Sequence, residues 1–348
     1  MAIQELPLII QTSYAELIDQ LRLSGTSAFP EGSTFRKRTI SGKDYWYVQA
    51  PTNPTGRPPE RYLGPDTPGR RAAIDNAKTH KANSDVRKSI RRSLVGAGLP
   101  EPDSLTSAVI DAFAEAGVFR LRGVIVGTVA FQAYSGLLGI KLPGTAVRTG
   151  NLDLAQDYGV SVAINDALDS ALIEILKTVD PAFAPVPSLS GPNIAVTYAR
   201  PGGYRVDVLT TNRGADQDAP VRLPSLKSDA VPLRFLDYLL KDTVEGAILT
   251  RAGALVNVPA PERYAVHKLI VSSLRKDTGA SAIKSDKDVA QAGLLIEALA
   301  IKRRTDDLAE ALLEAVARGR AWKERLSKSS TRLAPEARQV MHAIFSEI

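Results

Sequence analysis

Apolar positions along this chain change rhythm from one stretch to the next, and the rhythm sets the elements. From Tyr14 to Leu23 the residues Leu17, Ile18, Leu21 and Leu23 recur at helical spacing and predict an amphipathic helix. Two short runs follow, residues 32–40 and 44–50, split by Ser41-Gly42-Lys43, and they predict a hairpin. After a Pro/Gly-rich stretch over residues 51–59, Arg61-Tyr62-Leu63-Gly64-Pro65 supplies a short third strand. A helix is expected from Thr67 to about Gly96. On it Arg87, Lys88, Arg91 and Arg92 fall on one side at i, i+1, i+4 and i+5.

The middle of the chain alternates. A helix over residues 105–116 stops at Gly117, an apolar strand runs over 119–126, and a helix over 129–138 follows directly. Next come a strand over 147–155, a helix over 163–179, and strands over 193–200 and 204–210 joined by Pro201-Gly202-Gly203. Past Arg213 the pattern predicts a hairpin (245–250 and 254–258) and a helix opened by Pro261 near its first turn. Further helices are expected over 285–299, 305–318 and 334–348. The expected class is α+β, a small mixed sheet with helices packed on it. Three segments follow: a basic hairpin-and-helix domain over 1–100, the sheet core over 101–215, and a mainly helical part over 216–348.

Composition narrows this little. Hydrophobic residues make up 44% of the 348 and charged residues 24%, ordinary values for a globular protein. No apolar stretch approaches the length of a membrane span, and the first residues lack the basic start and apolar core of a signal peptide. A cytoplasmic location and no membrane partner are expected. Cysteine is absent, which excludes disulfides and thiolate metal sites, and the three histidines are scattered.

Charge changes the picture more. Residues 1–100 hold 15 Lys+Arg against 9 Asp+Glu, while the remainder is balanced at 29 each. The whole surplus of +6 therefore lies in the first hundred residues and suggests contact with a polyanion. Arg36, Lys37 and Arg38 on the hairpin, with Arg87, Lys88, Arg91 and Arg92 on the helix, are the candidate phosphate contacts. Tyr45, Trp46, Tyr47 and Tyr62 lie among them as stacking candidates. The same pattern also suits a hairpin whose aromatics are core and whose basic residues are solvated. A basic hairpin with a Tyr-Trp-Tyr strand and a Tyr-Leu-Gly ending resembles small β modules of DNA- and RNA-handling proteins.

The candidate chemistry sits in the middle. Val124-Ile125-Val126 stops at Gly127, and Thr128 opens a helix. A glycine there lets a backbone approach phosphate, and helix N–H groups favour anions. Asn151 and Asp153 are spaced i and i+2 on a strand, so both face the same way. Asp207 is a lone acid in the apolar strand Tyr204-Arg205-Val206-Asp207-Val208-Leu209. Two carboxylates and an amide oxygen converging on one place suit a hard cation, Mg²⁺ or Mn²⁺. Taken singly, each signal also suits a turn, a strand edge or a solvated face.

In order, these parts resemble the nucleotidyltransferase core of the DNA polymerase β superfamily. Three blocks sharpen the likeness: Arg148-Thr149-x-x-Leu152-Asp153-Leu154-Ala155, Pro259-x-Pro261-x-Arg263-Tyr264-Ala265-x-His267-Lys268-Leu269, and Lys287-Asp288-x-x-Gln291-Ala292. Together they are similar to bacterial minimal nucleotidyltransferases and to tRNA-modifying nucleotidyltransferase toxins, over roughly residues 105–300. The resemblance implies Mg²⁺-dependent transfer of a nucleoside monophosphate from an NTP, ATP among them, to a hydroxyl. It implies that Asn151, Asp153 and Asp207 hold metal and that Gly127, Thr128, Arg148, His267, Lys268, Lys287 and Asp288 meet the nucleotide. It also implies an RNA acceptor more than a DNA one, the 3′ end of tRNA for instance, and an antitoxin-like protein partner.

Position 151 departs from that pattern, which has Asp there. The amide keeps one oxygen but removes a full charge opposite the metal. An enzyme working with fewer acids, a non-catalytic nucleic-acid-binding relative, and a chain substituted into an inactive form all fit this residue.

Overall fold

A computed structural model describes residues 3–23, 29, 32–52, 56, 58–143, 150–187, 194–212, 214, 219–251, 253–275 and 278–347. Its centre is a nine-stranded mixed sheet. The strands run, edge to edge, Val221–Leu223, Ser228–Leu233, Arg205–Thr211, Asn151–Gln156, Val124–Val126, Ala254–Pro259 and Thr243–Ile248. Thr197–Ala199 pairs antiparallel with the first half of Arg205–Thr211, and Ala184–Pro185 pairs antiparallel with Thr197–Ala199 on its far side. Val124–Val126 is antiparallel to Asn151–Gln156, which is parallel to Arg205–Thr211. The fold is thus mixed α+β, as the hydrophobic rhythm implied.

Local chemistry explains most boundaries. The helix Pro68–Gly96 begins with proline and is capped by Thr67, whose hydroxyl accepts the Arg70 N–H. The helix Ser104–Ala116 is capped by Asp103 and ends at Gly117 with φ of 85°, a left-handed stop that glycine adopts without strain. The hairpin Thr34–Ile40 and Lys43–Gln49, with Arg61–Pro65 as third strand, forms a separate three-stranded antiparallel sheet.

Four expectations change. The strand foreseen over residues 119–126 is only Val124–Val126, because residues 119–122 turn, with Arg122 at φ of 63°. The turn's carbonyls need no ladder: Asn257 Nδ2 donates to Phe119 O and Gly123 O at 2.8 and 2.9 Å, and Gln156 Nε2 to Leu121 O at 2.6 Å. The helix foreseen over 163–179 is two, Tyr158–Ala163 and Leu172–Val179. Between them the Leu168 N–H is drawn to Ser225 O at 2.8 Å rather than to a helical partner. The helix Arg320–Ser330 has no apolar stripe, and of its carbon-rich side chains only Leu326 is fully buried. Finally, the hairpin Thr243–Ile248 and Ala254–Pro259 does not stand apart with the C-terminal helices. It joins the central sheet through parallel pairing of Asn257 with Val124, so the sheet continues well past residue 215.

The N-terminal helix, Leu8–Leu23, is part of this body. The Tyr14 hydroxyl accepts the Ala247 N–H and donates to Ala247 O, both at 2.9 Å. Its ring lies against Gly136, where a Cβ would fall 2.2 Å from the ring edge. Tyr14, Leu17, Ile18, Leu94, Leu99 and Leu249 share one apolar cluster. Among the described residues no helix is long and apolar enough to cross a membrane.

Candidate active site

Strand register brings the two acids together. Asp207 is the direct neighbour of Asp153 in the parallel ladder, and Arg205 of Asn151. Side chains at directly opposed positions share a face, so Asp153 and Asp207 present their carboxylates side by side. On the other flank Asp153 is paired with Val126, the residue before the glycine turn. Spacing anticipated the shared face of positions 151 and 153, and the family resemblance placed Asp207 beside them.

Gly127 is needed where it stands. Its φ is 68°, and a Cβ there would meet Asp153 Oδ2 at 2.2 Å. The carboxylate therefore occupies the space a side chain would fill, directly at the start of the helix Gly127–Leu138. Desolvation raises Asp153 to about 6, with the Asp207 charge adding to it and Lys268, Asn151 and Lys284 opposing it. Asn151 Nδ2 donates to Asp153 Oδ1 at 3.0 Å, and the Thr197 hydroxyl donates to Asp207 Oδ1 at 2.6 Å.

Two helices bring cations to the turn. The Lys287 ammonium, on the helix Gly279–Ile301, donates to Thr128 Oγ1 at 2.9 Å. Burial lowers the Lys287 pKa, and the nearby Lys268 charge lowers it further. Lys268, on the helix Pro261–Ser272, pairs with buried Asp288 at 2.6 Å and lies 5.2 Å from the Tyr264 ring centre. Asp288 also receives Arg275 at 2.7 Å, so it fixes two cations at once. Tyr264 joins these helices to the turn: its hydroxyl donates to Gly127 O at 2.9 Å. Its ring packs with Phe131 and Tyr134, and the Tyr134 hydroxyl donates to Pro259 O.

The structure thus gathers Gly127, Thr128, Asn151, Asp153, Asp207, Lys268, Lys287 and Asp288. His267 lies on the Lys268 helix, where burial pushes its imidazole down to about 3, so it brings no charge at neutral pH. Arg148 lies outside the described residues. Thr197, Tyr264 and Arg275 were not assigned roles from the sequence. Tyr264 stands four residues before Lys268 on one helix face, a spacing that could have flagged it; Thr197 and Arg275 carry no such signal.

The basic residues of the first segment divide. Arg36 and Arg38 are exposed on one face of the small sheet, with Arg38 paired to Glu60. Lys37 alternates to the other face and pairs with Asp44 and Asp66 at 2.6 and 3.0 Å. On the helix Pro68–Gly96 the expected single basic side is not formed. Arg87 is 3% exposed, Arg91 is bonded to Glu101, and Lys88 lies 3.4 Å from Asp85, which leaves Arg92 the most open of the four. Arg87 stands three residues after Ser84 and seven before Leu94, on the buried stripe of this helix, so the side these residues share is turned partly into the fold.

None of the curated proteins matches the chain. One solved structure is similar, an antigenic nucleotidyltransferase-like protein from Paracoccidioides brasiliensis. It has 18% sequence identity and a TM-score of 0.30, covering 61% of this chain and 93% of that one. Residues 104–317 match the model of a family described as nucleotidyltransferase. That match spans well over half of the chain and takes in every residue of the acid pair, the glycine turn and the two lysine helices; the chain belongs to the nucleotidyltransferase family.

Proposed function

We propose that the chain transfers a nucleoside monophosphate from an NTP to a hydroxyl acceptor, with pyrophosphate leaving. The observation that carries this reading is the in-register Asp153–Asp207 pair abutting the Gly127–Thr128 turn. Two hard carboxylates and the Asn151 amide fit one Mg²⁺ or Mn²⁺ that keeps its other positions for water and phosphate. Desolvation first and the Asp207 charge second raise Asp153 to about 6, and a cation held between the two carboxylates would offset both. Among the described residues no third His, Cys, Asp or Glu joins them, so the donor set is a lean one. When bound, the cation supplies charge neutralisation on the triphosphate.

The chain's own groups do the rest. The Gly127–Thr128 backbone and the start of its helix bind phosphate oxygens, and Lys287 and Lys268 add positive charge. The new bond forms between the acceptor oxygen and the α-phosphorus as the bond to pyrophosphate breaks, and the acceptor's proton passes to Asp207. Thr197 holds Asp207 Oδ1 and so orients that carboxylate. The acceptor favoured by the basic first segment is RNA, at its 3′ hydroxyl.

The test is incubation with each α-radiolabelled NTP, Mg²⁺ and total RNA. Label should enter RNA with the intact chain and not with Asp207→Ala. Equal labelling by both would overturn the assignment. One observation favours a second reading, in which the chain binds NTP without transferring it: the Asn151 amide acts toward Asp153 as a hydrogen-bond donor, where a third carboxylate would have added charge. NTP binding without transfer to RNA, protein or small hydroxyl compounds would select that reading.

A further inference from the structure

The small antiparallel sheet has two unlike faces. Strand register places Arg36 opposite Tyr47, Arg38 opposite Tyr45, and Tyr47 opposite Tyr62. These five side chains therefore share one face. The other face carries Lys37 and Trp46, and it is engaged: Trp46 Nε1 donates to Asp66 at 2.9 Å and Lys78 of the helix Pro68–Gly96 lies over its ring at 5.7 Å. On the tyrosine face Tyr45 and Tyr47 are half-buried. Tyr62 is 53% exposed and both arginines are exposed.

The three rings lie close without covering one another. Tyr62 is 5.5 Å from Tyr47 and 6.0 Å from Tyr45 between ring centres, tilted by 59° and 47°. The Arg38 guanidinium, paired with Glu60, lies 4.7 Å over the Tyr47 ring. An open ring at Tyr62 beside two half-buried rings at strand spacing, flanked by guanidinium groups, matches what unpaired bases and their phosphates require. A duplex, whose base faces are already stacked, has nothing to offer those rings.

We infer that the face formed by Arg36, Arg38, Tyr45, Tyr47 and Tyr62 is a platform for single-stranded RNA, with the tyrosines stacking bases and Arg36 meeting phosphate. The choice of RNA rests on the acceptor proposed above; the platform itself rests on register, ring geometry and exposure. Charge complementarity supports it, since the whole positive surplus of the chain lies in the segment that contains this sheet. Lys37 and Arg87, which the sequence grouped with the phosphate contacts, are not part of it.

The test is fluorescence anisotropy with a labelled single-stranded RNA of roughly twelve nucleotides, within the ~4–16-nucleotide range of such sites. The full chain carrying Asp207→Ala is used and NTP is omitted, so that failure of transfer cannot be mistaken for failure of binding. Tyr62→Ala should weaken binding ~5- to ~100-fold, and Tyr62→Phe should restore it. Arg36→Ala should lower the slope of log Kd against log salt by roughly 0.7. Lys37→Ala, on the opposite face, should leave Kd unchanged. Wild-type affinity in Tyr62→Ala, an unchanged salt slope in Arg36→Ala, absence of RNA binding, or binding to duplex or to DNA of the same sequence as tight as to the single-stranded RNA would overturn the inference.

Discussion

Replacing Asp153 by Asn should stabilise the metal-free protein at neutral pH and leave it unchanged in acid. The carboxyl moves from 3.8 to about 6 on folding, first through desolvation and then through the Asp207 charge. A shift of about two units at ~1.4 kcal/mol each puts the cost of ionising Asp153 in the folded state at ~3 kcal/mol. Between the two values the folded chain binds the extra proton, so stability is fully present below about 4 and is lost as pH rises through about 6. Asparagine has the same shape and still accepts the Asn151 hydrogen bond, but it has no charge to desolvate. The assay is urea unfolding of chelator-treated wild type and Asp153→Asn from about pH 4 to about pH 8. Comparing the two cancels His267, whose depression to about 3 acts in the opposite sense over the same range. The midpoint of the variant should rise above that of the wild type as pH passes about 4 and hold a constant lead above about 7. Mg²⁺ with a non-hydrolysable NTP should erase that lead. Parallel curves across the whole range would refute the argument that Asp153 is desolvated beside a second acid.

Gly127→Ala should abolish NTP binding and destabilise the fold by ~1–3 kcal/mol, since the new methyl enters the space of Asp153 Oδ2 at a left-handed φ; calorimetry with Mg²⁺-NTP and thermal unfolding check both. Lys287→Ala should raise the NTP Kd about tenfold with little change in thermal stability, as expected for loss of one charged contact at Thr128. Asn151→Asp should replace a hydrogen bond to Asp153 with a like charge, lowering metal-free stability above about pH 6 while tightening Mg²⁺-NTP binding, measured by the same titrations.

The part of the site carried by strands was legible because strand geometry is periodic. Positions 151 and 153 share a face by alternation, and Asp207 in a like-patterned apolar strand falls in line with Asp153. Gly117 and Thr67 marked helix ends for the same local reasons. What stayed hidden depends on distant partners. The hairpin at Thr243–Ile248 and Ala254–Pro259 reads as a local unit, yet only its pairing with Val124 shows that it belongs to the main sheet. Val221–Leu223 is only three residues long, Ser228–Leu233 carries Asp229 and Pro232, which read against a strand, and Arg320–Ser330 buries too little to show a stripe. Arg87 looks solvated in sequence and is buried in the fold. Lys268 could be read as a solvated surface lysine until Asp288 and Tyr264 are seen beside it.

Mn²⁺ titration followed by electron paramagnetic resonance, with a non-hydrolysable NTP present, tests the account at its centre. Free Mn²⁺ is read directly, so bound metal is counted without relying on transfer. The wild-type chain should hold one NTP-dependent Mn²⁺, and Asp207→Asn should lose it while keeping its fold by circular dichroism. Undiminished Mn²⁺ binding in Asp207→Asn, or none in the wild type, would contradict a metal–nucleotide site built on Asp153 and Asp207.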